Sequence, residues 1–189
     1  MTTILQIDSS INGAEACSPK LTAYTVDRLR DKLGEITLIH RNLGEQPLPA
    51  YTRNVMNETR KAESKVHDSP LKELMSADYV VIGAPMYNFS VPGTLKDWMD
   101  YCAVPNVSFK YTDQGPVGLL KDKKVIICTT RGSEWKGSKN DHVAPLLEFY
   151  CGFIGLEDVN IIYAEGLNMG KKDESMRQAR EQIDKLVAA

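Results

Sequence analysis

The chain has 189 residues, 42% of them hydrophobic and 25% charged, which is the composition of a folded globular protein and not of a disordered segment. Lys plus Arg number 23 and Asp plus Glu 25, a net charge of −2, so no polybasic surface suits nucleic acid or an anionic membrane. One domain over residues 1–189 is expected at this length. With no basic apolar leader after Met1 and no run of about 20 apolar residues, a cytoplasmic protein without a membrane span is expected.

Strands and helices alternate along the chain. Thr3–Asp8 reads as a short aliphatic strand, followed by a Ser-, Asn- and Gly-bearing loop. A helix begins near Ser18-Pro19, with Ser as its cap and Pro in its first turn, and ends at Gly34. Leu21, Tyr24, Thr25 and Leu29 recur close to the helical period and mark its inner face. Ile36–His40 reads as a second strand. A charged helical segment is expected around Arg53–His67, and another helical turn from Ser69-Pro70 to Met75.

Tyr79–Ala84 is apolar throughout, as suits a strand covered on both faces in a parallel sheet. A helix over Pro92–Tyr101 follows. The stretch Val107–Leu120 breaks the rhythm: Phe109–Thr112, a Gly115 turn and Pro116–Leu119 predict a hairpin-like excursion. Lys124–Thr129 is the next strand, Val143–Phe153 a helix, Val159–Ala164 a strand and Glu174–Val187 a closing amphipathic helix. Five buried strands with intervening helices predict a three-layer α/β fold with a parallel sheet.

Cys17, Cys102, Cys128 and Cys151 are far apart, with no Cys-x-x-Cys pair, and His40, His67 and His142 are equally scattered. Reduced thiols and no metal site are expected.

Ligands of open α/β sheets bind beyond the carboxyl ends of the strands, which singles out three loops. The first, Ser9–Ser18, puts hydroxyls and backbone amides at a helix N-terminus, a place suited to a phosphate. It carries neither Gly-x-Gly-x-x-Gly nor a P-loop, and read alone it also fits a plain capped helix. Packing suits Cys17 better than reactivity. The second loop, Pro85–Pro92, holds Met86, Tyr87, Asn88 and Phe89 where the chain must turn. It reads equally as a flat-ring site or as a hydrophobic plug. In the third, Thr129–Gly137, Gly132 would let the backbone approach a ligand and Arg131 could stabilise negative charge. No Gly-x-Ser-x-Gly elbow supports a hydrolase.

Taken in order, several pieces resemble one family. They are Ser9-Ser10, Met86-Tyr87-Asn88-Phe89 with Pro92 and Thr94-Leu95-Lys96, and Phe109-Lys110-Tyr111-Thr112 with Gly115-Pro116. Thr130-Arg131-Gly132, Gly152-Phe153-Ile154-Gly155 and Ala164-Glu165-Gly166 continue the series. The chain resembles the FMN-dependent NADH-azoreductases, which are flavodoxin-like quinone reductases, over about residues 3–188. That resemblance implies a flavodoxin-like sheet in order 2-1-3-4-5 and non-covalent FMN in a homodimer. Carried over by position, it implies that Ser10, Ala16, Cys17 and Ser18 meet the phosphate. Met86, Tyr87, Asn88 and Phe89 would face the isoalloxazine, and Thr130, Arg131, Gly132 and Ser133 its far edge. Tyr111 and Tyr163 are the candidates to line the substrate pocket, from this chain or from the partner chain.

Two residues depart from the family pattern. Ala16 stands where members often have a hydroxyl. A lost hydrogen bond to a charged group is worth about 1.5–3 kcal/mol, or up to ~100-fold in FMN affinity. Ser133 stands where members often have Gly. The activity implied is a two-step exchange at one site: NADH or NADPH gives a hydride to FMN and leaves, and a quinone or azo compound takes its place and is reduced. The flavin carries the chemistry, so no catalytic side chain is named. The alternative is an electron carrier between proteins, which the charge of −2 favours little, since such carriers are steered by strong net charge.

Overall fold

The computed structural model describes residues 1–61 and 70–189. In chain order the elements are β1 (Thr2–Asp8), α1 (Cys17–Leu33), β2 (Ile36–Asn42), α2 (Arg53–Lys61), α3 (Pro70–Ser76), β3 (Tyr79–Pro85) and α4 (Gly93–Cys102). They continue with β4 (Phe109–Thr112), β5 (Gly115–Gly118), β6 (Lys124–Thr130), α5 (Val143–Ile154), β7 (Asp158–Ala164) and α6 (Lys172–Ala188). The charged helix expected over Arg53–His67 is present as α2. Its expected continuation, with His67 and Ser69, lies outside the described residues.

Five parallel strands form one sheet in the order β2-β1-β3-β6-β7. With the excursion set aside this is the expected order 2-1-3-4-5. The excursion is a separate antiparallel hairpin of β4 and β5.

Alternation along each strand divides the core in two. Leu5, Ile7, Val80, Ile82, Val125 and Ile127 face α3, α4 and α5, where Leu74, Leu95, Trp98 and Leu147 are buried. Ile4, Val81, Ile126 and Cys128 face α1 and α6, which contribute Leu21, Leu29, Ala179 and Ile183. Each fully buried Leu or Ile contributes about 1.5–3 kcal/mol. Burial also pushes the Cys128 thiol up to about 12, which makes it a packing group.

The hairpin docks by backbone contact. A Cβ at Gly118 would lie 2.0 Å from the Gly155 nitrogen. Gly155, at φ +99, ends α5, and the Leu120 amide donates to Ile154 O at 3.0 Å.

Two helix starts differ from the sequence expectation. Ala16 is the N-cap of α1 and makes no side-chain capping bond, so Ser18 is the second helical residue and not the cap. Pro19 still falls in the first turn, where a missing N–H costs nothing. Helix α6 opens at Lys172, two residues before the expected Glu174.

Candidate functional site

Strand order reverses between β1 and β3. The chain runs outward from β1 to β2 on one side and from β3 through β6 to β7 on the other. A crevice at the carboxyl ends is the consequence. A cavity of about 460 Å³ occupies it.

One wall is the loop after β1 with the start of α1: Ser10, Asn12, Glu15, Ala16, Cys17 and Ser18. Ser9 turns inward, its Oγ donating to Gly83 O at 2.6 Å. Ser10 turns outward, its Oγ 3.1 Å from Tyr87 Oη and accepting from the Asn12 amide at 3.2 Å. Behind it, a Cβ on Gly44 would stand 2.1 Å from Ser10 O, so bare backbone at residue 44 sets how deep this loop lies. Asp8, just below, is buried and held by Thr22 Oγ1 at 2.6 Å, Gln6 Nε2 at 3.0 Å and His40 Nε2 at 2.7 Å.

Helix α1 points its uncapped N-terminus at this wall. First-turn amides have no intrahelical acceptor. Pro19 contributes none and Lys20 donates back to Ala16 O at 3.4 Å, so the amides of Cys17 and Ser18 face the cavity end. The Ser18 hydroxyl is fully buried and has no hydrogen-bond partner. A buried hydroxyl without a partner costs about 1–3 kcal/mol, and such orphans call for a ligand or water. The positive end of the α1 dipole favours an anion at this place.

The second wall is Pro85, Met86 and Tyr87. The turn after it is tight: Tyr87 and Ser90 exchange backbone bonds at 3.0 and 3.1 Å, and Asn88 and Phe89 adopt φ 49 and 66. Left-handed backbone is unfavourable for a bulky side chain and is found where function over-determines the local structure. Asn88 and Phe89 follow the wall without lining it. Phe89 meets Trp135 edge to face at 5.5 Å, joining this loop to the next.

The third wall is Thr130, Arg131 and Gly132. Here the geometry corrects one sequence expectation. The Arg131 side chain is fully buried and turned from the cavity: Nη2 donates to Asp141 Oδ1 at 2.7 Å and Nη1 to Glu165 Oε1 at 3.3 Å. Its charge serves two carboxylates, and its backbone amide and carbonyl are bonded to Ala164 O and to the Leu167 amide. Gly132 lines the cavity, and its bare backbone also leaves space for Asn168, since a Cβ there would lie 2.6 Å from Asn168 Nδ2. Ser133 does not line the cavity; its carbonyl accepts from the Gly166 amide at 3.4 Å.

A fourth wall went unread. Leu167, Asn168 and Lys172, from the loop after β7 and the start of α6, complete the lining. The amides of Leu167 and Asn168 donate to Arg131 O and Gly132 O at 3.1 and 3.0 Å. The signal in the sequence is Gly166 and Gly170 bracketing the short Leu167-Asn168-Met169 loop at the same sheet end.

The two tyrosines expected at the substrate pocket lie elsewhere in the chain. Tyr111, on the hairpin, is 73% exposed and packs edge-on against Phe109 at 5.4 Å. Tyr163 borders a separate hollow beside α6, its ring covered by Arg131 at 5.0 Å and Lys136 at 4.4 Å. Among the described residues, no three His, Cys, Asp or Glu side chains are grouped to hold a metal, and no helix is long and apolar enough to cross a membrane.

An open parallel sheet in this order, with a cavity at its carboxyl ends beside the uncapped start of α1, defines a flavodoxin-like protein. A family model described as flavodoxin-like fold matches residues 2–187. The FMN-dependent NADH:quinone oxidoreductase of Saccharophagus degradans is 39% identical over 194 residues, covering 98% of this chain and 93% of that protein. The protein of the same name from Cellvibrio japonicus is 37% identical over 199 residues, the full length of both. Among solved structures, an azoreductase of Bacillus anthracis strain Sterne superposes with a TM-score of 0.86 at 25% identity, covering 99% of each chain. This chain belongs to the family of FMN-dependent NADH:quinone oxidoreductases.

Proposed function

We propose that the chain holds FMN in the 460 Å³ cavity and transfers electrons from NADH or NADPH to quinones and azo compounds. One observation carries the reading: the buried, unpartnered Ser18 hydroxyl beside the uncapped start of α1. It is a donor set suited to the phosphate of a flavin nucleotide. The names of the relatives and the azoreductase neighbour support the same reading.

The residues fit that group. Ser10, Ser18 and the amides of Cys17 and Ser18 would hold the phosphate, with Ala16 giving backbone only. Met86 and Tyr87 would bear on the ring, Asn88 and Phe89 would close over its rim, and Thr130 with the backbone of Arg131 and Gly132 would meet its far edge. Two-electron transfer from a reduced nicotinamide to a quinone or azo acceptor is the chemistry FMN supplies when bound. The chain itself orients the ring. Tyr87 Oη, 3.1 Å from Ser10 Oγ, locks the first two walls in register, and the amide of Met86 donates to Thr130 O at 2.9 Å to tie the second to the third.

Nucleotide and acceptor use the one open face in turn. Purified protein is therefore expected to oxidise NADH with a quinone and no partner protein, giving parallel initial-rate lines when both are varied. Intersecting lines would contradict use in turn. Turnover that needs an added protein would mark an electron carrier, and the same assay with NADPH reads nucleotide preference.

We also propose a homodimer through the hairpin and α5. Tyr111 is 73% exposed and Phe149 77%. Phe153, one turn after Phe149, packs on Phe109 at 4.3 Å, and Phe109 meets Tyr111 at 5.4 Å, so exposed rings of α5 and the hairpin flank one shared aromatic cluster, and exposed apolar surface of this kind marks an interface. Tyr111 would then reach the partner's site. Phe149→Glu is expected to sediment as a monomer; an unchanged sedimentation coefficient argues against this face.

A further inference from the structure

Lys172 borders the cavity beside Cys17 and Ser18 and is the first residue of α6. Two 17-residue helices, α1 and α6, thus begin at one end of the same hollow. A cation is misplaced at a helix start, where the dipole favours acidic groups such as the Asp173 and Glu174 that follow. Its neighbours have partners. Lys171 pairs with Glu134 at 2.6 Å, Lys20 with Glu15 at 2.7 Å, and Arg177 with Glu174 at 2.7 Å and with Glu181. Arg180 lies over the Tyr24 ring at 5.5 Å. Among the described residues, Lys172 alone of these cations makes no ion pair, hydrogen bond or ring contact.

An unpaired ammonium held against its own helix dipole, next to an orphan hydroxyl, is a half-built anion site. The opposite side of that end is short of side-chain donors, because residue 16 is alanine. Resting on the FMN reading above, we infer that Lys172 closes the phosphate site from the α6 side. It supplies the charge-assisted hydrogen bond that Ala16 cannot make. A groove of about 510 Å³ between α1 and α6, bordered by Cys17, Lys20 and Lys172, opens onto this end and leaves the ammonium room to move in.

The experiment titrates flavin-free protein with FMN and, in parallel, with riboflavin, which has the same ring and ribityl chain without phosphate. Flavin fluorescence is the readout. Lys172→Gln is expected to weaken FMN binding about tenfold, to leave riboflavin binding unchanged, and to flatten the salt dependence of FMN binding. Lys172→Arg should stay near the parent. The flavin-free Lys172→Gln protein should melt no lower than the parent, since it loses a cation from the wrong end of a helix. Equal FMN affinity in the parent and Lys172→Gln, or a matching loss for riboflavin, overturns the role of Lys172 while leaving the FMN reading intact. Failure of the parent protein to bind FMN overturns both.

Discussion

Arg131→Met is expected to lower the stability of the protein by about 3–5 kcal/mol, although the residue borders the cavity and its family position suggests a ligand contact. The guanidinium is fully buried between Asp141 and Glu165 and lies over the Tyr163 ring. Each carboxylate has other work. Asp141 Oδ1 also accepts from the Ala144 amide at 3.3 Å, in the first turn of α5, and Glu165 Oε1 accepts from the amides of Trp135 and Lys136 at 2.7 and 2.8 Å. Methionine fills much of the same volume but leaves two largely buried carboxylates without their cation, and breaking such a set by one partner costs about 3–5 kcal/mol. Urea unfolding followed by circular dichroism measures this. A midpoint equal to the parent's would show that the network contributes nothing.

Ser18→Ala carries the second large effect, and its two halves have opposite signs. The hydroxyl is buried without a partner, so its removal relieves a desolvation cost, and the flavin-free protein should be at least as stable as the parent. The same change removes a hydrogen bond to the phosphate, about 1.5–3 kcal/mol, so FMN should bind roughly 10–100-fold more weakly. A purely structural serine would behave the other way: the flavin-free protein would melt lower and FMN affinity would hold. Melting curves and fluorescence titrations of the same two proteins decide between them.

Much of the architecture is legible in the sequence because the strands are short apolar runs set between strong breakers. Tyr79–Ala84 needs both faces covered, and the Gly115-Pro116 turn marks the hairpin. The sheet order rests on the family resemblance, since adjacency of parallel strands leaves no local trace. Where structure and sequence expectation differ, the cause is a partner far away in the chain. Arg131 in a polar loop looks free to meet a ligand; its acceptors are ten and 34 residues further on. A serine before a proline reads as a helix cap by residue type, yet α1 starts two residues earlier on an alanine that makes no capping bond. That shift is what frees Ser18 for the cavity. Lys172 gave no sign at all, because its meaning comes from α1 and α6 starting side by side.

The titration of flavin-free parent protein with FMN probes the whole scheme at its root. Quenched flavin fluorescence that saturates at an equimolar ratio, with riboflavin bound more weakly, is the outcome expected of a hollow whose one end is made for a phosphate. Flavin fluorescence that never changes, or identical affinities for FMN and riboflavin, would contradict it.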